Sequence, residues 1–161
     1  MTRAPQERVS YLLSAIGAHA KIRFAELLSP LGVQPGHYGV LRRLSTNEGS
    51  TQQDVADDMR VRRNVMVGLI DELEARGWVE RRRHPVDRRA NALHLTSAGK
   101  RLLVRCDRIA DHLDDELLLA VPGPQRAELL RVLQDLGVST GAADGTYPHA
   151  DADVSNAQRT T

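Results

Sequence analysis

The sequence has 161 residues, the size of one domain with room for a tail, and its 41% apolar share reaches the globular norm once its 12 glycines are counted. Only five aromatics (Tyr11, Phe24, Tyr38, Trp78, Tyr147) and one cysteine, Cys106, are present, which excludes a base-stacking platform for single strands, an internal disulfide and a multi-cysteine zinc site. The net charge of +1 conceals a segment, residues 60–89, with nine Arg against five acids. No stretch reaches the ~18 apolar residues of a membrane span and the N-terminus lacks an apolar signal core, so the cytoplasm is the expected location.

Val9, Leu12, Leu13, Ile16, Ala20, Phe24, Leu27 and Leu28 recur at three- and four-residue steps, which predicts a long first helix. Pro30, Gly32, Pro35 and Gly36 break it. A short helix over 35–44 is expected to bury Tyr38, Val40 and Leu41, with Pro35 at a first helical position where its missing N–H is no loss. Asn47, Gly49 and Ser50 form a loop, and Ser50 with Gln53 spells a capping box opening a helix that carries Val55, Ala56 and Met59.

After a tight connection at 60–62, a helix over 62–76 turns Met66, Leu69, Ile70 and Leu73 inward and stops at Gly77. Two β segments, 78–83 and 91–95, flank a turn favoured by Pro85 and Asp87 and predict a hairpin. Thr96 caps a second long helix, to about residue 120, with a seam of Leu102, Cys106, Ile109, Leu113 and Leu117 spaced for packing on another helix. Pro122, Gly123 and Pro124 end it, and a last helix holds Leu129, Leu130, Leu133 and Leu136. From Val138 apolar periodicity vanishes, so 138–161 is expected to be a disordered tail.

Helix, helix, tight turn, helix, hairpin across 35–95 is the order of a winged helix–turn–helix. The 62–76 helix leaves Arg62, Arg63, Asn64, Val67, Gly68 and Asp71 facing outward. A major groove admits one helix, whose N-terminal half meets base edges. Arg63 suits guanine, Asn64 adenine and Val67 a thymine methyl, while Gly68 permits close approach at a cost of about 1 kcal/mol in helix propensity. The hairpin supplies Arg81, Arg82, Arg83, Arg88 and Arg89, and an Arg at its tip suits the negative potential of a narrow minor groove. The preference for Arg over Lys is credited mainly to a GC-rich genome; its clustering is what asks for a function.

Residues 51–99 resemble the MarR family of bacterial transcription regulators. The resemblance rests on Thr51-Gln52-Gln53, Ala56, the run Leu73 to Arg81, and the wing signature D-x-R-x-x-x-L-x-L-T-x-x-G, which stands here as Asp87, Arg89, Leu93, Leu95, Thr96 and Gly99. It implies a mainly α fold with a small β-hairpin wing: an N-terminal dimerisation helix (1–34), the winged helix–turn–helix (35–99), C-terminal dimerisation helices (100–137) and the tail. It further implies a cytoplasmic homodimer on a pseudo-palindromic operator in double-stranded DNA, with half-sites about 34–36 Å apart. Arg89 would enter the minor groove and Asp87 would brace it. A ligand-responsive repressor follows, released when a small anionic or phenolic effector holds the two recognition helices at the wrong spacing. The residues expected near such an effector are His19, Arg23, His37 and Tyr38.

Two departures from the family pattern stand in the turn: Arg60 and Arg62 replace the frequent Gly and Ser, so the recognition helix lacks a hydroxyl cap. The rival reading is a winged-helix protein-interaction module without specific DNA binding. No nucleophile–base pair, phosphate loop or metal-ligand spacing argues for an enzyme, a cofactor or a metal. Cys106, on an apolar seam, is expected to be buried and inert rather than a redox sensor.

Overall fold

The computed structural model describes residues 4–84 and 90–142. After a single 3-10 turn at Pro5–Glu7, helix α1 spans Val9–Leu28 and passes into another such turn, Ser29–Leu31. Gly32 ends it in the left-handed region, at φ 66°. Then follow α2 (Pro35–Thr46), α3 (Gln52–Asp58), α4 (Arg63–Ala75), the antiparallel pair β1 (Val79–Arg83) and β2 (Asn91–Leu95), α5 (Ser97–Leu117) and α6 (Gly123–Thr140). The winged helix–turn–helix architecture is as expected.

The core lies where α2, α3, α4, the hairpin and α5 converge. Tyr38, Val40 and Leu41 from α2, Val55 and Ala56 from α3, and Met66, Ile70 and Leu73 from α4 are all buried. Leu69 is only half-buried against them. From α5, Leu102, Cys106 and Leu113 are buried, while Ile109 and Leu117 lie half-covered at the edge. In α1 the expected apolar stripe is present along the whole helix, but the chain's own core covers only its second half. Phe24 and Leu28 are buried and the Phe24 ring meets Tyr38 edge-on at 5.4 Å, whereas Val9, Leu12, Leu13 and Ile16 are exposed. Helix α6 buries none of its residues.

Two local expectations need correction. The capping box that opens α3 is Thr51 with Asp54, one residue later than Ser50 with Gln53. Thr51 Oγ1 accepts from Asp54 N at 3.2 Å, and Asp54 Oδ2 accepts from Thr51 N at 2.8 Å. The reason is tertiary: Ser50 O accepts from Leu93 N at 2.9 Å and Leu93 O accepts from Gly49 N at 3.0 Å, so this segment pairs with β2 and the helix starts only beyond it. The last helix also continues to Thr140, past the limit at 137. It stops at Gly141, which takes the left-handed turn at φ 69° without strain. Beyond residue 142 the expected tail lies outside the described residues.

Candidate nucleic-acid interface

Helix α4 is presented by a tight turn. Val61 N donates to Ala56 O at 2.9 Å, and Arg60 adopts φ 52°, the one non-glycine residue with positive φ among those described. Arg62 precedes α4 in extended conformation and caps nothing with its side chain, as its lack of a hydroxyl predicts. Arg62, Arg63, Asn64, Val67 and Gly68 are all exposed. From 63 to 68 they follow helical spacing on one face, opposite buried Met66, Ile70 and Leu73. A Cβ on Gly68 would meet nothing within 4 Å, so no contact inside the chain calls for glycine there.

The wing is held beside this face. Thr96 is the hub: its Oγ1 accepts from Gly99 N at 3.0 Å to cap α5 and donates to Gly77 O at 2.6 Å, while its own N–H donates to Trp78 O at 3.1 Å. Gly77, at φ 68°, makes the turn from α4 into β1. In the ladder Val79 faces Leu95 and Arg83 faces Asn91. Leu93 and Leu95 are buried beneath it.

The hairpin arginines are not equivalent. Arg83 is exposed and Arg82 pairs with Glu80 on its own strand. Arg81 is turned back onto α4, where its Nη2 donates to Asp71 Oδ1 at 2.5 Å and its Nη1 donates to Glu74. Sequence reasoning grouped Arg81 with the free basic residues. Spacing alone does not reveal that β1 folds back over the acids of α4. Asp87, Arg88 and Arg89, expected at the wing tip, lie outside the described residues.

Of the four residues expected near an effector, two lie on α1 and two on α2. His19 is exposed on α1. Arg23 makes a two-pronged bond to Glu116 of α5, at 2.9 Å from both Nε and Nη2, and a third contact of 3.1 Å to Glu26. These bonds raise the Arg23 pKa and lower that of Glu116. Tyr38 donates its hydroxyl to Asp107 Oδ1 at 3.0 Å. His37 is buried: its Nδ1 accepts from Gln34 N at 3.2 Å, which puts the ring proton on Nε2. Nε2 sits 2.9 Å from Glu72 Oε2 on α4, off the line of a well-formed hydrogen bond. Burial lowers the His37 pKa, aided by nearby Arg76 and opposed by Glu72, so the ring is neutral near pH 7.

A cleft of about 620 Å³ opens between the start of α3, the start of α4 and the wing, with Gln52, Arg63, Arg81, His84 and Asn91 in its walls. None of the four expected residues lines it. Cys106 is buried among apolar neighbours, which pushes its thiol up to about 11, as an inert core cysteine requires. Among the described residues no helix is long and apolar enough to cross a membrane, and no three His, Cys, Asp or Glu side chains gather as metal ligands.

A helix displayed beside a hairpin, with cationic and amide side chains on its leading turns, defines a winged helix–turn–helix protein. The family model described as "MarR family" matches residues 31–90. A transcriptional regulatory protein named for the hcr operon of Thauera aromatica is 32% identical over 105 residues, a match spanning 65% of this chain and 63% of that protein's length. The transcriptional repressor Rv2887 of Mycobacterium tuberculosis is 29% identical over 137 residues, 85% of this chain and 99% of that one. Its structure with salicylic acid superposes with a TM-score of 0.68, covering 81% of this chain and 96% of that one. The repressor CouR, solved on a 23-mer DNA duplex, gives a TM-score of 0.73 at 29% identity, over 82% and 94% of the two chains. Over residues 31–90 the chain is thus similar to the MarR family.

Proposed function

We propose that this chain is a homodimeric transcriptional repressor that occludes a promoter by binding a pseudo-palindromic duplex operator and is released by a small anionic or phenolic effector. The observation that carries the reading is the outward face of α4, on which Arg62, Arg63, Asn64, Val67 and Gly68 stand exposed with nothing of the chain against the glycine. An exposed helix face that keeps a helix-weakening glycine, beside a basic hairpin, fits a groove-binding role. DNA binding by CouR, with similar fold and 29% identity, favours this over a protein-interaction module. Base contacts fall to Arg63, Asn64 and Val67, phosphate contacts to Arg62 and Arg83. The basic hairpin adds Arg88, and the sequence resemblance adds Arg89 braced by Asp87.

Dimerisation is supported by apolar surface the monomer leaves uncovered: Val9, Leu12, Leu13 and Ile16 on α1, and Leu130, Leu133 and Leu136 on α6. Two terminal helices with this many exposed aliphatic side chains match a subunit interface better than a solvated surface. Relatives solved with salicylic acid and with p-coumaroyl-CoA support an effector of phenolic character. Arg23 and Tyr38 already bond Glu116 and Asp107, so an effector at these two would compete with those bonds. The cleft beside Arg63 and His84, which Asp54 also lines, lies apart from those bonds, and an effector held there would compete with DNA.

The test is a gel shift with the intergenic DNA flanking the gene, titrated with salt and with phenolic acids. Specific retardation that falls linearly in log–log terms with salt, and is released by an effector, supports the reading. Absence of specific retardation at any salt refutes it.

A further inference from the structure

Arg81 stands in the middle of β1, opposite Leu93, and ties three elements together. Besides Asp71 and Glu74 of α4, its Nη2 reaches Gln52 Oε1 of α3 at 3.4 Å. Its side chain is 22% exposed while Asp71 is 57% exposed, so the acid, rather than the arginine, faces solvent. Burial works against the guanidinium charge, but the hydrogen bond to Asp71 and the nearby charge of Glu74 outweigh it and keep its pKa raised. A planar fork satisfied by two carboxylates three residues apart has little left for a phosphate.

We propose that Arg81 is a positioning residue, which clamps the wing strand to the recognition helix and sets the angle at which both meet DNA. The idea rests on the DNA-binding reading above. Groove recognition tolerates little misplacement, and a helix and wing fixed to each other before binding lose less freedom on docking. The clamp does this while cancelling the charge of Asp71, an acid on the face turned to the duplex.

The sign of one effect separates the clamp from a phosphate contact. Replacing both acids (Asp71→Asn with Glu74→Gln) removes negative charge and frees Arg81. If Arg81 served phosphates, DNA binding would tighten. The clamp predicts that specific binding weakens by about tenfold, as it also does in Arg81→Gln, with non-specific binding changed less than about twofold.

The probes are a duplex selected from a randomised library on the wild-type protein and an unrelated duplex, each measured from low to high salt. The salt slope of Arg81→Gln should match the wild type; a fall of about 0.9 would mark a lost phosphate contact and overturn the clamp. Amide exchange without DNA supplies an independent arm: both variants should exchange faster in Val79–Arg83 and Arg63–Ala75, with the remaining core protected. Unchanged exchange overturns the clamp. A wild-type protein that selects no duplex sinks the repressor reading instead, and the exchange data still decide the clamp.

Discussion

Gly99 lies against the backbone of Trp78 so closely that a Cβ at residue 99 would stand 2.0 Å from the Trp78 carbonyl oxygen. This contact brings the start of α5 onto the turn where β1 leaves α4, and Thr96 bonds the same turn through Gly77 O. The final glycine of the wing signature is thus a packing requirement. Gly99→Ala should push α5 off the wing base and destabilise the fold by about 3 kcal/mol, measured as a drop in the urea midpoint at unchanged slope.

The turn into the recognition helix carries two local strains that substitution should relieve. Arg60, at φ 52°, holds a conformation that disfavours side chains, and Arg62 leaves α4 without a side-chain cap. Arg60→Gly should gain about 0.5–1 kcal/mol, tempered by the loss of the exposed bond from its Nη1 to Gly141 O. Arg62→Ser should gain about 1 kcal/mol as a cap. The same Arg62→Ser variant should bind DNA more weakly, through the lost phosphate contact. Stability and affinity that fall together would contradict this assignment.

His37 makes the fold sensitive to mild acid. Its folded pKa is depressed from 6.5 by burial, so the unfolded chain takes up the proton first as pH falls. The stability due to the neutral ring is therefore complete well above pH 6.5 and declines as pH drops below it towards the folded value. Urea unfolding between about pH 7 and 5 should show a decline in wild type that is smaller in His37→Gln. Equal declines would assign the effect to other groups.

The thiol of Cys106, buried and pushed up to about 11, should resist aromatic disulfide reagents in the native protein and react fully in denaturant. DNA binding should survive peroxide treatment at concentrations that oxidise free thiols. Loss of binding that Cys106→Ser prevents would make the cysteine a sensor after all.

What was legible in the sequence was whatever depends on short-range pattern. The aliphatic stripes of α2 and α4, the Gly77 stop and the Thr96 cap each follow from residues within a few positions of one another. What escaped depends on contacts across the chain. Ser50 looked like a cap until its backbone paired with Leu93, and Arg81 looked like a free cation until β1 folded over Asp71 and Glu74. The neighbours of Arg23 and His37, Glu116 and Glu72, could not be read because they are far away in sequence. In α1 the periodicity marked an apolar stripe but not its partner. Phe24 meets the chain's own core, and Leu12 and Ile16 remain exposed.

The central claim is that α4 reads DNA through its exposed leading turns, and footprinting of the wild type against Arg63→Ala on the selected duplex tests it most directly. Two symmetric protected half-sites are expected, with centres about 34–36 Å apart, and Arg63→Ala should raise Kd by about tenfold or more and relax the preference for guanine at one position in each half-site. Unchanged protection and base preference in Arg63→Ala would contradict it.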